Sequence, residues 1–572
     1  MLTTFTAPAF AGTWYIEDGD ITISAGESGN NVTQNENTTK NDTDTIITNR
    51  EEGASSHTVT IDAKDKDDKV EVTLKDANID TSKQSKAAVS VTGSGDTTIE
   101  LDGDNELQGG DRHAGLEHNQ TVDSEGNVTS GKLTIQDDND NAGSLTATGG
   151  YFGAGIGGGS AKAGQVTITG GTITAISGDG AGIGGGQGNM GSNAGNADIE
   201  ISGGTIEATG GYTSAGIGGG YYGDATIKIT GDAVIKNATG GTFGAGIGGG
   251  GGGNGDVTIS GNAKIENAQG GYAGSGIGGG YGASGTVTIK DDSTVTATGG
   301  EAGAGIGGGV GGLADVTIEG NATVNAIGGV GSAGIGGGYD AENDEDDGNG
   351  NQISIKSNES GAPTVNATGG ESSIDKKTGE KIPGGAGIGS GAGDAKANIT
   401  LEGKVTIVAK AGEGNAAIGD MNGEQVFTGL DGSITRYDSE GNDTTLPTDP
   451  GYPVPADTSS SGGGSAGASV QESVFPGLVV TDKDGQRISY TSIRGNNVLS
   501  LRVGRFTASL HASLSTLRQL RAEGIDTITF QTILCSTTLS VDELLAMGGE
   551  DTEVVLTHHI RSSMLTVGGK AV

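Results

Sequence analysis

The sequence predicts an all-β chain: a parallel β-solenoid with three short strands per coil, followed by a small C-terminal α+β module. Three observations predict it. The string Ala-Gly-Ile-Gly-Gly-Gly recurs with its isoleucine at Ile156, Ile183, Ile217, Ile247, Ile277, Ile306 and Ile335, one copy carrying Ser275 for the alanine, and decayed copies follow at Ile388 and Ile418. Successive spacings are 27, 34, 30, 30, 29, 29, 53 and 30 residues, so one structural unit of about 30 residues repeats. Within each unit the apolar residues alternate with period two, which is the spacing of strands and not of helices.

Each element follows from that pattern. Residues 1–11 are read as the remnant of a secretory signal, because Ala9-Phe10-Ala11 fits a signal-peptidase site. Residues 12–150 carry a looser alternation, in Ile21-Thr22-Ile23, Val59-Thr60-Ile61, Val70-Glu71-Val72, Val89-Ser90-Val91 and Leu133-Thr134-Ile135, and are expected to form irregular solenoid coils. Ala114-Gly115-Leu116 reads as a decayed Ala-Gly-Ile strand. Residues 151–437 are the regular solenoid. One strand carries pairs such as Val166/Ile168 and Val257/Ile259, a second carries Ile173, Ile235 or Val295, and the third is Ala-Gly-Ile, with alanine and isoleucine expected inward and glycine outward. Insertions around Met190, at Asp340–Asn351 and at Glu371–Gly384 leave the flanking pattern intact and are expected to lie outside the stack. Roughly 14 coils at about 4.8 Å would give a rod of about 65–70 Å.

Residues 438–472 turn to Asp, Pro, Ser and Gly and read as a linker, stiff first and flexible after Ser459. Residues 473–572 form the α+β module, with a helix expected at Ser509–Arg521, a strand in Ile525–Leu534, a short helix at Val541–Met547 and a strand at Val554–Leu556.

Composition narrows the function. The 572 residues include 115 glycines but only 8 prolines without a three-residue period, so collagen is excluded. The net charge is −40 (32 basic and 72 acidic residues), and a polyanion of that size repels nucleic acid and anionic membranes. Residues 473–572 hold nine basic and nine acidic residues, so the whole excess lies in residues 1–472. The single cysteine, Cys535, rules out an internal disulfide framework and a Cys-rich zinc site. No apolar run approaches the ~20 residues of a membrane helix.

Four groups of residues invite a chemical reading. Gly153-Ala-Gly155-Ile-Gly157-Gly158 satisfies G-x-G-x-x-G, but a strand and not a helix follows it, so its glycines serve turns. The six histidines (His57, His113, His118, His511, His558 and His559) avoid the regular repeat, and no arginine occurs between Arg112 and Arg436, which leaves little for acid–base catalysis. His113 and His118 near Glu117 offer either a metal site or ordinary surface residues of a loop. The acidic insertion, with Asp340, Asp344, Asp346 and Asp347, offers calcium ligands or a solvated loop; Asn343 and Ser354 stand where a calcium loop needs carboxylates.

Tyrosine carries the most suggestive signal. Tyr151, Tyr212 and Tyr272 precede the Ala-Gly-Ile strand, and Tyr221, Tyr222, Tyr281 and Tyr339 follow it, so stacked coils align them in rows. Such rows either stack on sugar rings, a carbohydrate-binding role, or stack on each other and cover the isoleucine ladder.

The Ala-Gly-Ile-Gly-Gly-Gly repeats, the Thr-Ala-Thr-Gly-Gly turns at Thr146–Gly150 and Thr296–Gly300, and Gly12-Thr13-Trp14-Tyr15-Ile16 resemble a group of large secreted surface proteins of anaerobic bacteria. The resemblance covers roughly residues 12–437. It implies a right-handed β-helix similar to carbohydrate-binding proteins related to polysaccharide lyases, and it carries over no catalytic or ligand residue. The expected function is a secreted or cell-surface, non-enzymatic rod that binds a polysaccharide or glycan, as an adhesin or carbohydrate-binding protein. An acidic structural spacer and a polysaccharide lyase or hydrolase are the alternatives.

Overall fold

In the computed structural model the strand Gly255–Ile259 places Val257 and Ile259 inside and Asp256 outside, as its alternation requires. The structure describes residues 10–51, 53–139, 141–188, 195–342, 350–375, 379–393, 395–427 and 430–452. In the second unit it describes 478–483, 485–488, 490–495, 497–503, 505, 507–522, 524–532, 535–549, 552–559 and 562–571. Residues 1–9, those around Met190, and Asp344, Asp346 and Asp347 of the acidic insertion therefore lie outside the described residues, as does the Ser/Gly stretch of the linker. The chain divides into two units, Met1–Tyr452 and Pro453–Val572.

The first unit is a parallel β-solenoid of about 15 coils. Its first ladder runs Ile21, Val59, Val89, Leu116, Ile156, Ile183, Ile217, Ile247, Ile277, Ile306, Ile335, Ile388 and Ile418, each residue facing its equivalent one coil on. Leu116 is thus a true rung, as its decayed motif suggests. Ile335 pairs directly with Ile388 although 53 residues separate them in sequence. The intervening Ser373–Ile374 and Lys381–Ile382 form an antiparallel hairpin of their own. A second ladder stacks Ile135, Ile168, Ile201, Ile229, Ile259, Ile289, Ile318 and Ile355. A third stacks Leu145, Ile173, Ile206, Ile235, Ile265, Val295, Val324, Val365, Ile407 and Ile434, beside a row of alanines from Ala147 to Ala409. All three converge on one core. Burying each isoleucine contributes about 1.5–3 kcal/mol, which no single coil could do without its neighbours.

One expectation is corrected. The glycine of Ala-Gly-Ile does not face outward: Gly246 is buried, and a Cβ there would lie 2.7 Å from Gly276 O and 2.8 Å from Gln269 N. The segment is a narrow loop closed by Ala245 N–H donating to Gly249 O at 3.0 Å, so two backbones press together where a side chain would stand. Gly248 follows with φ +140°, a conformation open to glycine alone.

At the N-terminal end the stacking is broken by antiparallel pairing. Ile21–Ala25 pairs with Asn30–Gln34, and that strand with Asn37–Thr48. Asn35 and Glu36, at φ 52° and 65°, make the tight turn between the last two. The strand Phe10–Tyr15 runs parallel to Asn37–Thr48, held by the Trp14 indole N–H and the Gly12 N–H, both donating to the buried Asp42 carboxylate at 2.8 Å. At the other end Arg436 enters the alanine row opposite Ala409 and is fully buried. Its guanidinium donates to Asp449 through Nε (2.7 Å) and Nη2 (3.0 Å), to Gln425 O at 2.8 Å, and to Glu424. The first residues of the Pro-rich stretch therefore fold back onto the last coil, because Asp449 is needed to neutralise that arginine.

The second unit has a five-stranded and a four-stranded sheet with two helices, around a core that includes Leu499, Leu501, Leu514, Leu517 and Phe530. The helix expected at Ser509–Arg521 begins only at Leu514 and ends at Ala522. Ala508–Ser513 is a strand, since Ala508, Leu510 and Ala512 are buried alternately, and the Ser513 hydroxyl accepts from Thr516 N–H where the helix starts. The short helix is Val541–Leu545, and strands occupy Thr527–Gln531 and Glu553–His559. His558 is buried between the Thr532 and Thr537 hydroxyls, and burial lowers its pKa below that of free histidine.

Candidate functional site

The two turns that flank each Ala-Gly-Ile loop come together on one edge of the solenoid. The turn after one loop donates to the turn before the loop of the preceding coil: Gln187 N–H to Phe152 O (2.9 Å), Gly251 to Thr213 (2.7 Å), Tyr281 to Phe243 (2.8 Å) and Val310 to Ala273 (2.9 Å). Side chains separated by one coil and by the loop thereby share a continuous surface.

The ladder register places the tyrosines on that edge. Tyr151, Tyr212 and Tyr272 each stand five residues before Ile156, Ile217 and Ile277, while Gly178 and Thr242 hold the same place in the coils between. Tyr221, Tyr281 and Tyr339 stand four residues after Ile217, Ile277 and Ile335, again on alternate coils. Like tyrosines are therefore two coils apart, about 9.6 Å, too far to stack on each other. Tyr151, Tyr212, Tyr272 and Tyr281 are exposed, at 62%, 59%, 56% and 50%. Phe243 sits edge-on between two of them, 5.5 Å from the rings of Tyr212 and Tyr281. Tyr151 meets Phe152 edge-to-face at 4.6 Å.

The remaining three tyrosines are differently placed. Tyr221 and Tyr222 lie against each other at 4.1 Å and are half-buried, and a hydrogen bond to Tyr222 raises the Tyr221 pKa above that of free phenol. Tyr222 takes φ 55°, in the place held by Gly252, Gly282 and Gly311 in other coils. Tyr339 is half-buried; it and Ile382 of the hairpin insertion crowd Gly331, and burial raises its pKa. Asp340 is exposed at φ 60°, and no group of three metal-ligating side chains occurs among the described residues.

Towards the N-terminal end the edge runs into an open cleft of about 620 Å³, lined among others by Arg112, His113, Glu117, Asn119, Phe152 and Lys162. Of the three residues the sequence groups here, His113 and Glu117 meet and His118 lies apart. His118 is buried, not a surface residue, with Nδ1 3.3 Å from Val91 O and Nε2 2.9 Å from Gly131 O; burial lowers its pKa. Glu117 is buried and spoken for: Oε2 is 2.8 Å from His113 Nδ1 and accepts from Ala114 N–H, and Oε1 accepts from Asn119 Nδ2. Arg112 occupies the ladder place that Phe152 and Phe243 hold in later coils, and its guanidinium lies 5.6 Å from the Phe152 ring. The Arg112 and Lys162 contributions were not legible in sequence; the signal was Arg112 standing four residues before the decayed rung Leu116. Beyond the cleft the Asp179 carboxylate is buried under Gln187, 2.5 Å away, and desolvation raises its pKa.

No helix among the described residues is long and apolar enough to cross a membrane. Residues 141–160, 166–187, 199–221, 287–310 and 316–339 match the family model of the beta helix repeat. No curated protein and no solved structure matches the chain. These five segments fall in two runs of coils, separated by residues 222–286, so the solenoid carries β-helix repeats over part of its length.

Proposed function

We propose that the solenoid is a secreted or cell-surface, non-enzymatic glycan-binding rod of the adhesin type, whose ligand lies along the tyrosine edge. The observation that carries this reading is the exposure of tyrosines at equivalent turn positions on alternate coils. A spacing of two coils, about 9.6 Å, is that of alternate rings in an extended polysaccharide, so one chain laid along the edge would stack every second ring. Localisation outside the cell rests on the signal-like residues 1–11 and on the acidic surface. Tyr222 supports the same reading, since a bulky side chain is kept in a left-handed conformation that neighbouring coils give to glycine.

The test is a glycan-array screen of the full chain, with and without calcium, followed by titration of a hit. Replacing Tyr212, Tyr272 and Tyr281 together by Ala is expected to weaken binding roughly tenfold or more while circular dichroism stays unchanged. Retention of binding in that variant would overturn the tyrosine edge as the site, and a folded wild-type chain that binds nothing on the array would leave the acidic spacer as the function.

A further inference from the structure

The cleft that closes the tyrosine edge brings two cationic side chains together in an acidic unit. Arg112 and Arg436 bracket a stretch of sequence without arginine, and Arg436 is buried in its own ion pairs. Many lysines of the unit are engaged, as Lys132 and Lys228 are with Glu200 and Lys356 with Glu319. The two cations of the cleft make no hydrogen-bonded ion pair among the described residues. The nearest carboxylate to Arg112 is Asp111, 3.8 Å from Nε, too long for a hydrogen bond, and Lys162 has no ion-pair partner among the described residues. Glu117 makes no ion pair with either of them; its two oxygens take donors from His113, Ala114 and Asn119. A guanidinium and an ammonium thus face one cleft with their donors unspent. Next to them Phe152 and Tyr151 begin the aromatic row.

Planar guanidinium donors match an anionic group through paired hydrogen bonds, and lysine adds a mobile point charge. We propose that this cleft is a subsite for an anionic sugar ring, its carboxylate or sulfate held between Arg112 and Lys162 beside the Phe152 ring. The proposal rests on the glycan-rod reading and specifies the chemistry at one end of it. A rod of net charge −40 would otherwise repel such a ligand, so the cleft fixes where along the edge an acidic unit is accepted.

The experiment titrates the full chain with an oligogalacturonate, its fully methyl-esterified form, and a sulfated and desulfated oligosaccharide pair of similar length. The free acid is expected to bind about tenfold more tightly than the ester, and Arg112→Gln with Lys162→Gln should bring that ratio to about one. A preference confined to the sulfated member of the second pair, lost in the same variant, would assign the site to sulfate. Equal binding of charged and neutral members in both pairs would overturn the proposal. If that binding still falls in the triple tyrosine variant, the glycan rod stands without an anionic subsite. If none of the four probes nor any array glycan binds, both readings fail. Thermal melting of the two cleft variants serves as the folding control, since both side chains are exposed.

Discussion

Tyr222 holds a backbone conformation with φ 55° that costs a non-glycine residue of order 1 kcal/mol or more, and Gly252, Gly282 and Gly311 show what relieves it. Tyr222→Gly is therefore expected to stabilise the solenoid by about 1 kcal/mol in thermal melts while weakening glycan binding. If the aromatic pair serves only to cover the core, the same change lowers the melting temperature. Single residues of this kind were only half legible. The rows of tyrosine were visible in the sequence because they recur at fixed distances from the isoleucines. Their alternation between coils, which keeps them from stacking on one another, emerges only when Gly178 and Thr242 are set in register between them. Arg112 carried only its place before the decayed rung Leu116, and Lys162 nothing, because 50 residues separate two side chains that share one cleft.

At the level of elements the period-two pattern was nearly sufficient. Val257/Ile259 and Ile265 fell on their strands because burial admits one face only, and a shift by a single residue would turn every isoleucine to water. The pattern misled where two periods overlap: Leu510 fits a helix with Leu514 and Leu517, yet it belongs to the strand Ala508–Ser513. It was silent where backbone meets backbone, so the buried glycine of the Ala-Gly-Ile loop looked like an outward position. Ladder continuity predicts a cooperative response. Ile247→Asp buries a charge between Ile217 and Ile277 and is expected to unfold several coils together, seen as a loss of β circular dichroism and a lower melting temperature. An unchanged melt would contradict the inward placement of that ladder.

For the first unit as a whole, the stability problem sits at its ends, where a ladder has an edge and no partner. The N-terminal edge is covered by the antiparallel strands of residues 21–48, and the last coil by Arg436 with Glu424 and Asp449. Arg436→Ala leaves two carboxylates facing each other without their cation, and an expected loss of about 3–5 kcal/mol at that end. Size-exclusion chromatography should then show end-to-end dimers through the uncovered strands; a monomer of unchanged melting temperature would show that Arg436 is no cap. Repetition made the body of the unit readable from sequence. The caps were hidden because each occurs once and draws its parts from distant segments.

The hydrogen bonds that stack the coils, such as Ile247 N–H to Gly276 O and Gly249 N–H to Gly278 O, run from coil to coil and not around each coil. Tension between the two ends therefore bears on the rungs in series, and the weakest rung yields while the others hold. Each coil that peels away frees about 30 residues, on the order of 100 Å of slack chain, and relaxes the load on what remains. A solenoid built this way lengthens by instalments under load and re-forms from the intact ladder when the force is removed.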